Sequence, residues 1–408
     1  MTGESSKPLS GYSVQFGLSP QETMLKIHKS KQQLYIGIPK ESSFQENRLP
    51  LTPESIQILV NNGHRVMIET KAGIGSHFSD RDFSEAGAEI VYDRHKIFEA
   101  EIILKVAPPT EEEIEMLKMN QILITPLHLP TITEGYIHNL MKKKVTALAL
   151  EYIKDDTGSY PFVRSMSEIA GSNVMILAAE LLSTSRNGQG ILLGGISGVP
   201  PANVVVIGAG VVAEFVTRNA LGLGAMVRVF DNKIYKLMRL QNNLGQRIYT
   251  SNLYPEVLKK ALRSADVVVG AIHSESGRTP IIVTEEMVAD MKPGSVIIDV
   301  SIDQGGCIET SEITTHQNPT FKKYDVIHYC VPNIASRVSR TASYAMSNIL
   351  SDTLLKASET GGFEKYLHAE HAARNGVYVY KGCLTNQHMG EKFNIKHTDI
   401  NLLFTANY

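Results

Sequence analysis

Cysteine is scarce. Three residues, Cys307, Cys330 and Cys383, stand far apart in 408, which excludes a disulfide framework and the close spacing of a zinc site. The thirteen histidines are scattered and none forms an HExxH pair, so no metalloprotease-like motif is present and no metal is expected. No uncharged apolar run approaches the ~20 residues that span a bilayer. The opening stretch "MTGESSKPLSGYSVQFGLSPQ" is polar and lacks the apolar centre of a secretory signal. Lysine plus arginine nearly balance aspartate plus glutamate, for a formal net charge of −2. That balance carries no bulk footprint for nucleic acid or a membrane surface. Together these absences point to a reducing, cytoplasmic compartment and a small-molecule substrate.

The chain is 43% hydrophobic and 20% charged, a composition of globular proteins, and it is long enough for two or three domains. Residues 1–33 read as an N-terminal extension, flexible at first and then a short helix in "SPQETMLKIHK", with Ser19 as cap and Pro20 at the first helical position. From residue 34 strand and helix signals alternate. "LYIGIPKE", "HRVMIET", "AEIVY", "EIILKV", "QILITPL" and "VTALALEYI" read as strands, and "TPESIQILVNNG", "DRHKIFEA", "TEEEIEMLK" and "ITEGYIHNLMKKK" fill the gaps. "TEEEIEMLK" carries a Thr110/Glu113 capping box. "SMSEIAGSNVMILAAELLSTS" reads as a linking helix opened by a Ser165/Glu168 box, and the Gly/Pro-rich "GGISGVPPA" closes the link. A second unit follows through "NVVVIGAG", "MVRVFD", "ADVVVGAI" and "GSVIIDVSI". Such alternation predicts an α/β protein with largely parallel sheets. The helical "TASYAMSNILSDTLLKAS" is expected to pack back on the first unit. The expected division is residues 34–160 plus 341–408 for a substrate domain and 161–340 for a nucleotide domain. The fold class is thus two Rossmann-like, doubly wound domains with a cleft between them.

Five places carry chemistry. In "VVVIGAGVVAEF", Gly208-x-Gly210-x-x-Ala213 follows an apolar strand and opens a helix. The first glycine permits a tight turn, the second lets backbone approach a pyrophosphate, and the alanine allows close helix–strand contact. The helix start favours the diphosphate's charge. An acid is expected about 20 positions on, and Asp231 ends "MVRVFD". A carboxylate there accepts hydrogen bonds from ribose hydroxyls and favours NAD over NADP; the competing reading is a tight structural turn. "DVSIDQGG" sets Asp299 and Asp303 at a strand's carboxyl end, so Asp303 is either a site residue or a turn cap. His128 in "LITPLHLP" is either a proton carrier or a loop histidine satisfied by backbone. Arg48 in "FQENRLPLTP" is either a bidentate grip on a carboxylate or a surface arginine. Lys105 ends the apolar run "AEIILKV". A charge there either reaches the surface or faces a site, because burial without a partner costs several kcal/mol.

With these residues on the page, the chain resembles the alanine dehydrogenase family, which includes the soluble alpha subunit of the proton-translocating NAD(P) transhydrogenase. The resemblance runs from about residue 34 to about 395 through "IGIPKES", "ENRLPLTP", "GHRVMIET", "AGIGSHFSD", "SMSEIAG", "GGISGVPPANVVVIGAGVVA", "MKPGSVIIDVSIDQGGC", "TTHQNPTF", "HYCVPN" and "VYVYKGCLTN". The histidine of "LHLP", the sequence "DQGGC" and the absence of an inserted nucleotide-domain segment favour the dehydrogenase branch. The resemblance implies NAD as cofactor and reversible oxidative deamination of L-alanine to pyruvate and ammonia. It also implies a homo-oligomer, hexamer or dimer. It implies that Arg48 holds the substrate carboxylate, that His128 is the general acid/base, and that Asp303 lies by the nicotinamide. Ser167, Gly208, Ala209, Gly210, Val211, Val212, Asp231, Ile272 and Asn333 are implied for NAD. Three stretches depart from the family. Where it usually reads Lys-Val-Lys-Glu-Pro, this chain has "KVAPP", so Ala107 stands at the substrate-contacting lysine and Lys105 is the substitute two residues back. "VPNIASRVSRTAS" and "HSESGRTP" also differ, beside the expected cleft. The alternatives are a related amino-acid or 2-oxo-acid dehydrogenase with another substrate, a nucleotide-binding subunit of transhydrogenase type, and a binding protein that has lost the chemistry.

Overall fold

The computed structural model describes residues 31–43, 45–155, 157–274 and 278–405. The helix expected in "SPQETMLKIHK" lies outside the described residues, and so does part of "HSESGRTP". Among the described residues fifteen strands form two sheets. The first contains β1 (Tyr35–Ile38), β2 (Arg65–Glu69), β3 (Glu89–Val91), β4 (Ile102–Leu104), β5 (Ile122–Thr125) and β6 (Thr146–Ala149). The second contains β7 (Asn203–Ile207), β8 (Met226–Phe230), β9 (Tyr249–Ser251), β10 (Val267–Gly270), β11 (Val296–Asp299), β12 (Thr320–Lys323) and β13 (Val326–Tyr329). The chain then returns to the first sheet with β14 (Val377–Tyr380) and β15 (Cys383–Leu384). The orders are β15-β14-β6-β5-β4-β1-β2-β3 and β12-β13-β11-β10-β7-β8-β9. Each contains the doubly wound order 3-2-1-4-5-6, in parallel register, with antiparallel strands added at one edge.

The strand sequences explain the layering. In β7, Val204 and Val206 enter one core while Val205 and Ile207 enter the core on the opposite face. Successive side chains leave opposite faces, so a strand covered on both sides reads as an unbroken Val/Ile run. In the first sheet Ile102 and Leu104 face one core and Ile103 the other.

Two helices carry the chain between lobes. The first, Pro161–Leu181, starts at Pro161 after Tyr160 rather than at the Ser165/Glu168 box. Ser165 is inside the helix, and its hydroxyl donates back to the Pro161 carbonyl at 2.9 Å. A proline at the first position sets the start a turn earlier, because its missing N–H would be unsatisfied there anyway. Met166 packs against the first core, whereas Val174, Leu177 and Leu181 lie in the second. Gly171 meets the helix Val211–Gly222 so closely that a Cβ would stand 2.6 Å from the Val212 carbonyl. The second crossing helix, Ser339–Glu359, packs Met346, Leu350 and Leu354 into the first core, as expected. It also presents Ser343 and Ser347 to the chain after β1. Their hydroxyls accept from the Leu49 N–H at 2.8 Å and the Thr52 N–H at 2.9 Å.

Lys105 follows β4 directly and is 1% exposed, so the reading in which it reaches the surface is excluded. Its Nζ lies 2.7 Å from Glu41 and 3.2 Å from Glu113. Glu113 also closes the Thr110 capping box and lies 3.4 Å from Arg94. Glu41 accepts in addition from the N–H groups of Val106 and Ala107. Lys105, expected from the resemblance to bind substrate, is thus paired with two carboxylates that tie the ends of β1 and β4 to a helix start. Removing one member of a buried pair costs about 3–5 kcal/mol, because the partner charge is left unmatched. Lys105→Met is therefore expected to lower the unfolding free energy by that order, read as a lower urea midpoint. Combining it with Glu41→Gln and Glu113→Gln should recover part of the loss. A Lys105→Met protein as stable as the wild type would show that the cluster does not hold the strand ends.

Candidate active site

Ligands of doubly wound sheets bind at the carboxyl ends of the parallel strands. In this chain the singled-out residues gather there in both sheets: Arg48 follows β1, His128 follows β5, the glycine turn follows β7, and Asp231 follows β8. Ile272, Asp303 and Asn333 follow β10, β11 and β13. The two sets of strand ends meet. Asn333 Nδ2 donates to Glu46 at 2.7 Å, and the His316 N–H donates to Gln45 at 3.1 Å.

Arg48 is buried and gripped side-on by Glu46. Its Nε and Nη2 donate at 2.8 and 2.6 Å, and its Nη1 points at the Met166 sulfur, 3.2 Å away. The surface-arginine reading fails. Burial alone would raise the Glu46 carboxyl. The Arg48 charge and hydrogen bonds, with a further bond from Ser336, more than offset that and hold it below the usual carboxylate range. Glu46 is ionised, and Arg48 remains cationic beside it.

His128 has left-handed backbone, φ 48°, and is half-buried. The turn is held by Glu151, whose Oε1 accepts from the Leu127 N–H at 2.8 Å and the His128 N–H at 3.3 Å. The other oxygen, Oε2, is buried and has no hydrogen-bond partner among the described residues. Burial pushes the Glu151 carboxyl up, against these N–H groups and the nearby His128 ring. Glu151 was not singled out from sequence. The signal that marked Lys105, a charge ending an apolar strand, is equally present in "VTALALE".

The two aspartates after β11 divide the work. Asp299 is buried and accepts from the N–H groups of Ser301, Cys307 and Ile308 and from the Ser311 hydroxyl. It organises the turn. Asp303 is exposed to solvent, in the turn that follows β11. The surrounding protein pushes its carboxyl up, while His128, the Asn333 N–H at 3.1 Å and Arg48 pull it down. Asp303, His128 and Arg48 therefore share one electrostatic environment, assembled from both lobes.

The glycine turn fits a dinucleotide. Gly208 has φ 111°, and a Cβ there would lie 2.4 Å from the Ala271 carbonyl. At Gly210, the N-cap of the helix Val211–Gly222, a Cβ would meet nothing within 4 Å. Val211 and Val212 form the first turn of that helix, whose leading N–H groups lack intrahelical partners and favour an anion. Asp231 accepts from the Ala209 N–H at 2.8 Å and the Lys233 N–H at 2.7 Å. It pins the turn, and each carboxylate oxygen keeps a further lone pair for a hydroxyl. The Ile272 N–H donates to Ser301. Ser167 is half-buried on the first crossing helix. Ala107 is 2% exposed, so no cation stands at that position. Among the described residues no cluster of His, Cys, Asp or Glu is arranged to hold a metal, and no helix is long and apolar enough to cross a membrane.

The chain is similar to known proteins over most of its length. Residues 37–170 match the family described as alanine dehydrogenase/PNT, N-terminal domain, and residues 174–387 match alanine dehydrogenase/PNT, C-terminal domain. An alanine dehydrogenase of Staphylococcus epidermidis is 38% identical over 370 residues, covering 90% of this chain and 98% of its own. One of Methanococcus maripaludis is 39% identical over 372 residues, with the same 90% and 98% coverage. A solved L-alanine dehydrogenase superposes with a TM-score of 0.82 at 36% identity, covering 88% of this chain and 99% of its own. A transhydrogenase from Sinorhizobium meliloti shares the fold, with a TM-score of 0.73 at 24% identity and coverage of 86% and 99%.

The two glycines predict different failures. Gly210→Val is expected to leave thermal stability near wild type and to weaken NADH binding at least tenfold, read by fluorescence titration. Gly208→Val is expected to destabilise the fold as well, since the side chain meets backbone. Normal NADH affinity in Gly210→Val would remove the pyrophosphate from that turn.

Proposed function

The chain belongs to the alanine dehydrogenase/PNT family, and on that premise we propose that it catalyses the reversible NAD-dependent oxidative deamination of L-alanine. L-alanine, NAD⁺ and water give pyruvate, ammonium, NADH and a proton. The observation that carries the reading is that Arg48 and Asp303, from different lobes, are linked through Glu46 and Asn333, with His128 and the Gly208–Val212 turn also at carboxyl ends of strands.

NAD, when bound, supplies the acceptor for the hydride that leaves Cα. The chain does the rest. Gly208, Ala209, Gly210, Val211 and Val212 receive the pyrophosphate, Asp231 the adenosine ribose, and Ser167, Ile272 and Asn333 line the remainder of the cofactor cleft. Arg48 holds the substrate carboxylate through the Nη1/Nη2 edge that Glu46 leaves open. His128 gives or takes the proton at the oxygen on C2, and Asp303 orients water or ammonia for attack at that carbon. Holding Cα against the cofactor in a closed cleft lowers the barrier by fixing orientation. Proton transfer by a positioned side chain adds about 10²–10⁴-fold. The surroundings of Asp303 raise its carboxyl above the usual aspartate range, which makes it a better proton acceptor than a free aspartate. Lys105 takes no part at the substrate, and Ala107 adds no second cation. The work of polarising the C2 oxygen therefore falls on His128.

The family's homo-oligomeric state and a cytoplasmic setting belong to this proposal.

Purified protein mixed with NADH, pyruvate and ammonium is expected to consume NADH, followed by its absorbance. His128→Gln and Asp303→Asn are each expected to lower kcat at least a hundredfold while NADH still binds. Retained turnover in either variant would remove that residue from the chemistry. NADH binding without turnover of pyruvate would sink the alanine assignment. A panel of larger 2-oxo acids would then separate an altered substrate from lost activity, the two alternatives that Ala107 raises.

A further inference from the structure

Glu46 has no place in the reaction just described, yet few side chains in the cleft are so fully engaged. It is held within a lobe-to-lobe network. Its Oε1 accepts from Arg48 Nε at 2.8 Å, from the Arg48 N–H at 2.9 Å and from Ser336 at 3.1 Å. Its Oε2 accepts from Arg48 Nη2 at 2.6 Å and from Asn333 Nδ2 at 2.7 Å. The side chain is 2% exposed, against 7% for Arg48. Arg48 belongs to the loop after β1. Asn333 and Ser336 belong to the segment after β13, where the chain crosses back to the first lobe. Asn333 has φ 60°, and its own N–H donates to Asp303 at 3.1 Å. One carboxylate thus joins the arginine on the substrate side, the asparagine on the cofactor side and, one step on, Asp303.

The geometry of the grip matters. A guanidinium carries five N–H bonds in a fixed plane. Glu46 takes the Nε hydrogen and one on Nη2, and the Met166 sulfur faces Nη1. One hydrogen on each of Nη1 and Nη2 remains for a second carboxylate. Side-on occupation by Glu46 fixes the plane in which a ligand carboxylate must arrive. Because the same oxygen that takes Nη2 also takes Asn333, a shift of Arg48 on binding ligand is transmitted to the backbone that carries Asn333 and contacts Asp303.

We propose that Glu46 is a positioning residue that makes 2-oxo-acid binding and dinucleotide binding conditional on one another across the cleft. The inference rests on the functional reading above, since it takes Arg48 as the carboxylate grip and Asn333 as a cofactor contact. Coupling of this kind is a free energy shared by two sites and is reciprocal. It needs an element that both ligands bias, and the Arg48–Glu46–Asn333 bridge is that element.

The test compares NADH affinity, by fluorescence titration, with and without saturating pyruvate and with ammonium absent. Wild type is expected to bind NADH at least fivefold more tightly with pyruvate present. Glu46→Gln keeps the side chain's shape but loses its charge and half of its acceptor capacity. It is expected to bind NADH alone within twofold of wild type, to lose the coupling to below twofold, and to raise the KM for pyruvate at least tenfold. If coupling survives in Glu46→Gln and only KM rises, Glu46 merely holds Arg48 and the proposal falls. It falls also if wild type shows no coupling. Should Glu46→Gln fail to bind NADH at all, Ser336→Ala carries the test: it removes the hydroxyl that donates to Glu46 at 3.1 Å and accepts from the Asn47 N–H at 3.2 Å, and it keeps the Arg48–Glu46 pair. Reduced coupling there supports the proposal and unchanged coupling overturns it. Failure of the functional reading is distinct: wild type then binds NADH but does not turn over pyruvate with ammonium. The coupling is in that case measured with whichever 2-oxo acid the wild type reduces.

Discussion

Two chain crossings hold the carboxyl ends of two parallel sheets against each other, and every candidate contact in the cleft depends on that placement. The helix Pro161–Leu181 contributes to both cores. The helix Ser339–Glu359 returns the chain and fastens the backbone after β1 through serine hydroxyls. Serine suits the second task because it is small enough for close approach and still supplies an oxygen to an otherwise orphaned N–H. Arg48 sits on the loop so fastened. The substrate side of the cleft is therefore set by contacts nearly 300 residues apart in sequence.

Charge in the cleft is arranged in alternation. Arg48 is matched by Glu46, Asp303 faces His128 and Arg48, and Glu151 lies behind the turn that carries His128. In an enclosed setting each of these charges would be expensive alone, and their neighbours decide which stay ionised. Glu46 collects five donated hydrogen bonds and is held ionised. Asp303 and Glu151 receive fewer and are pushed toward the neutral acid. The same logic separates the Lys105 cluster from the site. Its lysine is saturated by two carboxylates and does architectural work beneath the cleft.

The α/β alternation, both doubly wound units, the glycine turn with Asp231, and the candidates Arg48, His128 and Asp303 can all be read from one sequence. Each depends on local patterns: Val/Ile runs for strands covered on both faces, Pro and Thr at helix starts, and a glycine spacing dictated by the size of a phosphate. Local patterns did not place the start of the first crossing helix, because Ser165/Glu168 is an equally good cap in isolation and Pro161 wins only by coming first. The same patterns do not pick out β9 and β12 to β15, which lie at or next to the sheet edges.

Burial and partnership belong to the tertiary structure alone. A lysine at the end of "EIILK" has one meaning if it faces a ligand and another if two glutamates surround it, and Glu41 and Glu113 are placed around it by the fold. Arg48 reads as a carboxylate grip from its chemistry. That Glu46, two residues away, takes its side-on edge while reaching Asn333 in the other lobe follows from the second crossing. The sequence by itself determined the elements, the nucleotide turn and the inventory of reactive groups, since short-range sterics and hydrophobic periodicity set these. Which groups meet, and with what charge, was decided by long-range packing, because desolvation and pairing exist only once the lobes have closed on one another.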